Sequence, residues 1–552
     1  MADRRGPQER LAAGNLFAAE GRHAEAPQVF RGLLREHPGI AELHFNLGNA
    51  LKGSGDFNGA ERAYGKAIAL KPDLLEARFN LANLCRDQGR PKDAQEGYAA
   101  LLAHQPGHVG ALANLGSLLQ SSDPASAATL LQRALTIEPA HYSAANTLGL
   151  AAADAGRWLR RARALAPDHP AAWSNLADQL RVQARLEESD SCYRAAISLD
   201  PGNAGLLTNL GLATYELQQS DLADRFHGRA LAVDPQLPQA QWNRALTALA
   251  QGKLAAGWQW YEARFAAGAT PPRQFPMPRW QGEPLAGRTL LVWREQGIGD
   301  ELTWATCLPD LLALGNCLIE CEPRLASLYA RSFPAATVRA DDPRAPAQAD
   351  LHVPIGSLPL YLRPTLGSFV QRRLLVPDPV LVEKWRGRLL ALGPGLKIGL
   401  SWRSLRTRQG SQLGRSYTTL ADWQALFELP GVQVVSLQYD DDAAERDGHP
   451  LHLWPDLDLR NDIENVAALI DALDGVITVS NSVAALAGCL ARPTLEIALA
   501  DSWSWLGTGT SLWFAGNRAV FRLPSDSDWT KQIAEVVLAV ARWRDCAMPP
   551  GA

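Results

Sequence analysis

The sequence predicts an α-solenoid in its first half and an α/β region of two doubly wound parallel sheets in its second half. Three observations support this: a helix-pair pattern that recurs through about residue 267, alternating apolar strands and helices from Arg288 onward, and a proline-rich segment between them. The chain has 552 residues. Since hydrophobic cores stop growing near ~250–300 residues, several folded units are expected.

A proline follows each predicted second helix, and successive prolines are mostly 34 residues apart. They are Pro38, Pro72, Pro106, Pro139, Pro167, Pro201 and Pro235. A helix–turn–helix period of 34 residues is the tetratricopeptide signature. We expect a superhelix of seven to eight repeats in residues 1–267. The short step near residues 155–160 predicts a repeat whose second helix is truncated, with a local change of pitch.

An asparagine recurs at one position in the first helix of most repeats: Asn46, Asn80, Asn114, Asn175, Asn209 and Asn243. Asparagine is a mediocre helix former, so its recurrence needs a cause. A carboxamide can donate and accept, so it can bind the backbone of a polypeptide in the groove; alternatively it bonds the adjacent repeat. The arrangement resembles the asparagine ladder of eukaryotic O-GlcNAc transferases, which implies a groove for an acceptor polypeptide.

Residues 268–280 are rich in proline and predict a stiff linker at a domain boundary. Two lobes are expected after it, residues 281–378 and 379–545. Strands are predicted at 289–293, 317–321, 396–401, 432–437, 475–479 and 494–498, with helices between them. This alternation is typical of parallel sheets, which bind ligands beyond the carboxyl ends of their strands.

The first loop at such an end carries Gly297, Gly299 and Asp300. The glycines let the backbone approach a ligand closely. Asp300 is suited first of all to cap the next helix; the alternative is that it acts as a general base in the cleft. The sequence leaves both roles open.

The other two loops predict binding of phosphate groups. Arg403 and Arg415 lie in a loop with several hydroxyls, which suits a diphosphate or simply a solvated basic loop. Ser480, Asn481 and Ser482 open an apolar helix, whose N-terminus is a phosphate site unless these residues only cap it.

The motifs in these loops resemble those of GT-B glycosyltransferases, in particular the heptosyltransferase-like group that bacteria fuse to tetratricopeptide repeats. The resemblance rests on residues 293–301, 398–403, 435–439 and 471–480 and spans roughly residues 257–545. It implies a metal-independent transferase of GT-B fold that needs no cofactor and uses a nucleotide sugar as donor. By the same resemblance Asp300 is the base, Arg403 lies near the donor phosphates, and Gln438 lies near the nucleotide pocket.

Two departures from the family pattern open a second hypothesis. Ala485 stands where the group usually has a histidine, and Ser504 stands where it usually has an arginine. The chain is therefore expected to be a protein glycosyltransferase whose repeats hold the acceptor, with flagellin as a candidate acceptor by resemblance. The alternative is a non-catalytic repeat adaptor with a degenerate GT-B domain.

Composition excludes several other classes. The formal net charge of -4 argues against a nucleic-acid partner, which requires a basic face. No apolar run is long enough to span a bilayer, and the start of the chain does not resemble a secretory signal. Seven scattered cysteines fit a reducing, cytoplasmic location, and Cys317 and Cys321 lie in a predicted strand, so no metal site is expected.

Overall fold

The computed structural model describes residues 6–151, 154–342, 348–404, 418–439, 443–499, 502–508, 510–522 and 528–547. The chain forms two compact units that divide between Gln179 and Leu180. Among the described residues, no helix combines the length and the apolar character needed to cross a membrane. The predicted fold class, a helical solenoid followed by parallel α/β sheets, is confirmed.

The first unit is built from antiparallel helix pairs. Its helices are α1 Pro7–Ala19, α2 Ala26–Glu36, α3 Ala41–Gly53, α4 Phe57–Leu70, α5 Leu75–Asp87, α6 Pro91–His104, α7 Val109–Leu119, α8 Pro124–Ile137, α9 Tyr142–Ala151, α10 Ala155–Leu165 and α11 Pro170–Val182, the last of which crosses the division. Fully buried small and aromatic residues such as Ala60 and Tyr64 fill the space within and between pairs.

The second helix of the short repeat is shorter than its counterpart in the preceding repeat. This helix, α10, has 11 residues, against 14 in α8.

The second unit begins with further helix pairs and continues into the α/β region. The helices are α12 Leu186–Leu199, α13 Ala204–Glu216, α14 Ser220–Val233, α15 Pro238–Ala250 and α16 Leu254–Tyr261, followed by a short 3₁₀ turn, Glu262–Arg264. His227 of α14 is fully buried, and neither ring nitrogen has a hydrogen-bond partner among the described residues. Its ring lies against Gly211 of α13, where an added Cβ would approach Cε1 to 2.4 Å.

The first sheet has four parallel strands in the order β3-β2-β1-β4. Its elements are β1 Leu290–Trp293, α17 Ile298–Ala305, α18 Leu308–Leu312, β2 Cys317–Cys321, α19 Ala326–Ser332, β3 Thr337–Ala340, β4 Leu351–Pro354 and α20 Leu358–Leu362. From β1 the chain adds β2 and β3 on one side, and it then returns to add β4 on the other side of β1. The loop after β1, which the sequence singled out, therefore borders a topological switch point.

The second sheet has six parallel strands in the order β10-β9-β8-β5-β6-β7. Its elements are α21 Pro379–Leu390, β5 Leu396–Ser401, α22 Gln424–Phe427, β6 Val432–Ser436, α23 Ala443–Arg446, β7 Leu451–His452, α24 Ile463–Ala472, β8 Gly475–Val479, α25 Ser482–Cys489, β9 Thr494–Leu499, β10 Asn517–Arg522 and α26 Thr530–Ala547. Here the switch point lies between β5 and β8. The loops that follow these two strands are the ones for which the sequence predicted phosphate binding.

The proline-rich segment 268–280 is not the boundary that its composition predicts. Phe275 and Met277 pack against the buried side chains of β1 and β2. The backbone runs beside β4: His352 N donates to Pro278 O at 3.1 Å, and Trp280 N donates to His352 O at 2.9 Å. Proline prevents regular pairing, but it does not prevent an extended segment from covering a sheet, so this segment belongs to the core of the second unit.

The two lobes also share their interior. One apolar cluster extends from Ala245 of α15 through both sheets to Phe514. Helices of the two lobes approach each other closely at Gly299 of α17, where an added Cβ would lie 3.3 Å from Cα of Ser482 at the start of α25. The missing side chain of Gly299 thus allows the other lobe to approach closely, whereas the sequence predicted that it would allow a ligand to do so.

We expect His227→Leu to stabilise the protein. We also expect it to reduce the pH dependence of the free energy of unfolding between pH 4 and pH 6.5. Burial lowers the pKa of His227 from 6.5 to about 4. Between these values the unfolded chain binds a proton that the folded chain does not, so stability is full above pH 6.5 and falls as the pH drops. The loss amounts to about 3 kcal/mol. Chemical denaturation at several pH values measures it, with the exposed His104→Leu as the control; equal pH profiles for wild type and His227→Leu contradict the prediction.

Gly299→Ala and Gly387→Ala should have opposite effects on stability. Gly387 lies in α21 with open space around its Cα, so alanine gains about 1 kcal/mol of helix propensity there. At Gly299 the same gain is outweighed by overpacking against the backbone of Ser482, which costs ~1–3 kcal/mol. Urea unfolding compares the two variants. Equal stabilisation by both would show that the lobes do not meet at Gly299.

Candidate functional site

The loop after β1 is held by a buried ion pair. Arg264 Nε donates to Glu295 Oε2 at 2.8 Å and Arg264 Nη2 donates to Oε1 at 2.7 Å. Both side chains are fully buried. Glu295 Oε1 also accepts a hydrogen bond from Gly356 N at 2.9 Å. Burial opposes the charge of Arg264, but Glu295 raises the pKa of Arg264 above its ordinary value. The segment that leads to Asp300 therefore has a fixed starting point.

Asp300 is not the cap of α17. The N-cap is Gly297, whose backbone is extended, and Asp300 is the third residue of the helix. The capping role that the sequence left open is thus wrong, because the helix begins earlier than the position of the acidic residue suggests. Asp300 lines a cavity instead, and its carboxylate lies in the first turn, where the helix dipole favours negative charge.

The neighbouring Glu301 points into the protein. It is fully buried, accepts a hydrogen bond from Arg294 Nε at 3.0 Å and another from Glu322 N at 3.0 Å. Burial raises the pKa of Glu301 to about 7, although Arg294 opposes the shift. Glu301 therefore anchors α17, while Asp300 is the carboxylate of this turn that meets the cavity.

The loop after β8 provides the facing wall. Asn481 caps α25, since its Oδ1 accepts from Val483 N at 2.9 Å and from Ala484 N at 3.3 Å. Its Nδ2 donates to Ser401 Oγ at 2.9 Å, which joins the loop after β8 to the end of β5. The simple capping role is observed for Asn481. Ser480 and Ser482 line the cavity beside it.

The cavity lies at the carboxyl ends of the strands of both sheets and has a volume of about 480 Å³. The first lobe contributes Gly297, Gly299, Asp300 and Arg324, and the second contributes polar, basic, acidic and aromatic side chains. These include Ser404, Tyr439, Arg460, Ser480, Asn481, Ser482, Glu496, Trp503, Ser504, Trp505 and Trp513. Five of the predicted donor-binding residues, Gly297, Gly299, Ser480, Asn481 and Ser482, thus meet Asp300 in one place.

Arg403 and Gln438 lie outside the lining of this cavity. Arg403 Nη1 pairs with Glu445. Gln438 is buried, and its Oε1 accepts from Trp402 N at 3.0 Å and from Arg403 N at 3.2 Å. Gln438 thereby clamps the loop after β5 and also lines an adjoining cavity of about 250 Å³. Arg415 lies outside the described residues.

The two cavities share Tyr439, Leu459 and Arg460. Arg324 reaches the same junction, because its Nη1 donates to Arg460 O at 2.7 Å. Sequence reasoning missed Arg324 and Arg460, since neither lies in a glycine-rich or hydroxyl-rich loop. It also missed Glu496, although one signal was present: a single charged residue in the otherwise uncharged strand β9.

Three of the six recurring asparagines form hydrogen bonds between repeats. In the first unit their amide nitrogens donate to an asparagine of the preceding repeat: Asn80 to Asn49 at 2.8 Å, Asn114 to Asn83 at 2.9 Å and Asn175 to Asn146 at 2.9 Å. The structural alternative is thus observed for these three. All six predicted groove residues, including Asn46 and, in the second unit, Asn209 and Asn243, remain half-buried.

Comparisons with known proteins agree with the repeat assignment. Two tetratricopeptide-repeat family models match residues 51–116 and 117–160. Among solved structures, a tetratricopeptide repeat protein from Parabacteroides merdae is 18% identical, with a TM-score of 0.37, over 44% of this chain and 98% of its own. The APC/C hetero-tetramer Cut9-Hcn1 is 18% identical, with a TM-score of 0.37, over 42% of this chain and 47% of that chain, less than half its length.

The likeness to these two structures is too low to carry any conclusion. A curated relative is far more similar: Protein FlbA of Caulobacter vibrioides is 31% identical over 469 residues, which cover 72% of this chain and 78% of that protein. The match is long enough to include parts of both the repeat region and the α/β region. The chain is a tetratricopeptide-repeat protein that belongs to the family of Protein FlbA.

Proposed function

We propose that this protein is a glycosyltransferase that moves a sugar from a nucleotide-sugar donor to an acceptor polypeptide held by the repeats. The supporting observation is the cavity at the switch points of two parallel sheets, with Asp300 in its wall. Such positions are where open parallel sheets bind ligands. Flagellin is a candidate acceptor, through the resemblance of the motifs to flagellin-modifying transferases.

The proposed reaction uses Asp300 as general base. A hydroxyl oxygen of the acceptor attacks the anomeric carbon of the donor, and the bond from that carbon to the donor phosphate breaks. The hydroxyl proton passes to the Asp300 carboxylate, and the nucleoside diphosphate or monophosphate leaves with the bonding electrons. A base must lie within hydrogen-bond reach of the proton it removes, which the position of Asp300 in the cavity wall permits.

Two arginines in the cavity wall are suited to bind the phosphates of the leaving group. Arg324 and Arg460 both line the cavity and meet at its junction with the smaller cavity. Arginine suits phosphate oxygens because its planar guanidinium can form two parallel hydrogen bonds. We assign the donor phosphates to this junction and the nucleoside to the smaller cavity, beside Trp454 and Gln438. This placement revises the expectation for Arg403, which is engaged by Glu445.

The acceptor can reach the cavity from the repeat side. Tyr261 ends α16, the last repeat helix, and its ring centre lies 5.9 Å from that of Trp503 in the cavity wall. The turn between α15 and α16 packs on the same segment, since an added Cβ at Gly252 would lie 3.2 Å from Leu506 O. A polypeptide bound along the last repeat helices, α15 and α16, therefore lies beside the proposed active site.

A second candidate function is a non-catalytic adaptor. This function is favoured because two residues predicted to bind the donor form bonds within the protein instead: Arg403 pairs with Glu445, and Asn481 caps α25. Ala485 also lines the cavity with a methyl group where the resembling family has an imidazole. Under this hypothesis the repeats bind a partner and the α/β region serves as a scaffold.

Asp300→Asn separates the two functions once the donor is known. A thermal-shift screen of UDP, GDP, CMP and their sugar conjugates identifies the donor, because a ligand of the native state raises its stability. We expect Asp300→Asn to lower sugar transfer by ~10²–10⁴-fold, since an amide cannot accept the proton, while donor binding stays nearly unchanged.

The control is Asp378→Asn. Asp378 caps α21, accepting from Val380 N at 2.8 Å, and asparagine caps about as well. Transfer by this variant should equal that of wild type. Near-normal transfer by Asp300→Asn would exclude Asp300 as the base, and binding of no nucleotide or nucleotide sugar by wild type would favour the adaptor.

A further inference from the structure

The strand β9, which lies between β10 and β8 in the second sheet, carries a buried carboxyl group. Glu496 is 7% exposed and lies between Leu495 and Ile497, each 2% exposed. It pairs in register with Thr478 of β8 and Ala519 of β10. Its side chain nevertheless lines the large cavity. A carboxyl group in such a position is costly to bury, so its presence needs a cause.

The immediate surroundings of Glu496 do not neutralise it. Its one hydrogen bond within the described part of the chain comes from the hydroxyl of Ser480. No lysine or arginine pairs with it among the described residues. Burial consequently raises the pKa of Glu496 to about 7, while the Ser480 hydrogen bond opposes the shift. A carboxyl group that retains hydrogen-bonding capacity toward a cavity is suited to a ligand that supplies the missing partners.

Glu496 lies away from the smaller cavity. Arg460 and Tyr439 line both cavities, whereas Glu496 and Ser480, like Arg324, line only the larger one. The nucleoside and its phosphates are assigned to the smaller cavity and its junction with the larger one, so the carboxyl and hydroxyl groups are left for the part of the donor that lies in the larger cavity. Trp503 and Trp505 line that larger cavity as well, and their flat rings suit the apolar face of a sugar ring.

We propose that Glu496, together with Ser480, binds hydroxyl groups of the sugar portion of the donor. The proposal rests on the proposed function, because it assigns the sugar-recognition part of the same cavity. A carboxyl group accepts hydrogen bonds from hydroxyls when ionised and can also donate one when protonated, so it serves a polyhydroxyl ligand in both states.

Other ligand chemistries fit Glu496 less well. A phosphate group would be repelled by the carboxylate and has the arginines of the junction as its partners. A metal ion needs several ligands, and the described residues contain no group of three or more histidine, cysteine, aspartate or glutamate side chains that could hold one. The sugar is the part of the donor that is rich in hydroxyls and lacks phosphate charge.

Two variants of Glu496 test the proposal. Glu496→Leu removes the buried carboxyl group, so we expect an unchanged or higher midpoint of thermal unfolding, which shows that the variant folds. Glu496→Gln keeps the shape and part of the hydrogen-bonding capacity. Calorimetry with the nucleotide and the nucleotide sugar that wild type binds, chosen among UDP, GDP and CMP and their conjugates, then measures both affinities.

We expect Glu496→Leu to weaken binding of the nucleotide sugar by about ten- to hundredfold and to leave binding of the bare nucleotide unchanged. Glu496→Gln should lie between this variant and wild type. Thr494→Val is the matched control, since Thr494 is buried in the same strand and its hydroxyl bonds Arg492 O, away from the cavity lining. It should bind both probes as wild type does.

The outcomes distinguish this inference from the proposed function. If nucleotide sugars bind wild type and Glu496→Leu equally tightly, the role of Glu496 is excluded while the transferase proposal stands. If Glu496→Leu loses the bare nucleotide to the same extent, Glu496 contacts the nucleotide part and the assignment to the sugar is wrong. If wild type binds none of the probes, the proposed function fails, and this inference fails with it.

Discussion

The buried pair of Arg264 and Glu295 is the interaction on which the geometry of the candidate site depends. Arg264 follows the last repeat helix, and Glu295 follows the first strand of the α/β region. The guanidinium also donates to Ser357 Oγ at 2.8 Å, and Glu295 receives Gly356 N, so β4 is joined to the same network. Two buried charges cost much desolvation, and breaking such a pair by removing one partner costs about 3–5 kcal/mol.

This pair explains why the last two repeat helices, α15 and α16, share one core with the α/β region. Once Arg264 is buried against Glu295, α16, which ends just before Arg264, must lie on the lobes. Trp258 Nε1 of α16 then donates to Arg363 O at 3.0 Å, and its ring packs edge-on against Trp513, 6.0 Å between centres. The proline-rich segment after Arg264 has no freedom to act as a hinge, and it covers the first sheet. The same contacts position the loop between Glu295 and Asp300 in the cavity wall.

Much of the fold could be predicted from the sequence, because buried parallel strands are continuous apolar runs. The bounds of β2, β5 and β8 agree with the prediction to the residue. All four edge strands, β3, β4, β7 and β10, were missed, since they are short or mix polar with apolar residues and so lack a continuous apolar run. The domain boundary was misplaced because proline content reports local conformation and says nothing about which surface an extended segment covers.

Only those residues of the candidate site that lie in loops after predicted strands could be found from the sequence. Gly297, Asp300 and Ser480 follow strand ends, which the sequence locates, and the structure brings them together. The sequence could not exclude Asp300 as the cap of α17, since a helix start at a glycine leaves no side-chain signature. Glu496 was missed because an isolated sequence does not tell which face of a central strand borders a cavity. The asparagine ladder was ambiguous because its partners, such as Asn49 and Asn83, become apparent only when repeats stack.

The central claim is that the Arg264–Glu295 pair holds the loop that carries Asp300. Hydrogen–deuterium exchange of wild type and Arg264→Met tests it most directly, with residues 295–305 as the reporter and β9, which lies in the other lobe, as the internal reference. The account predicts faster exchange of the amides of 295–305 in the variant, with exchange in β9 unchanged. Unchanged exchange in 295–305, in a variant that has lost the pair and remains folded, would contradict it.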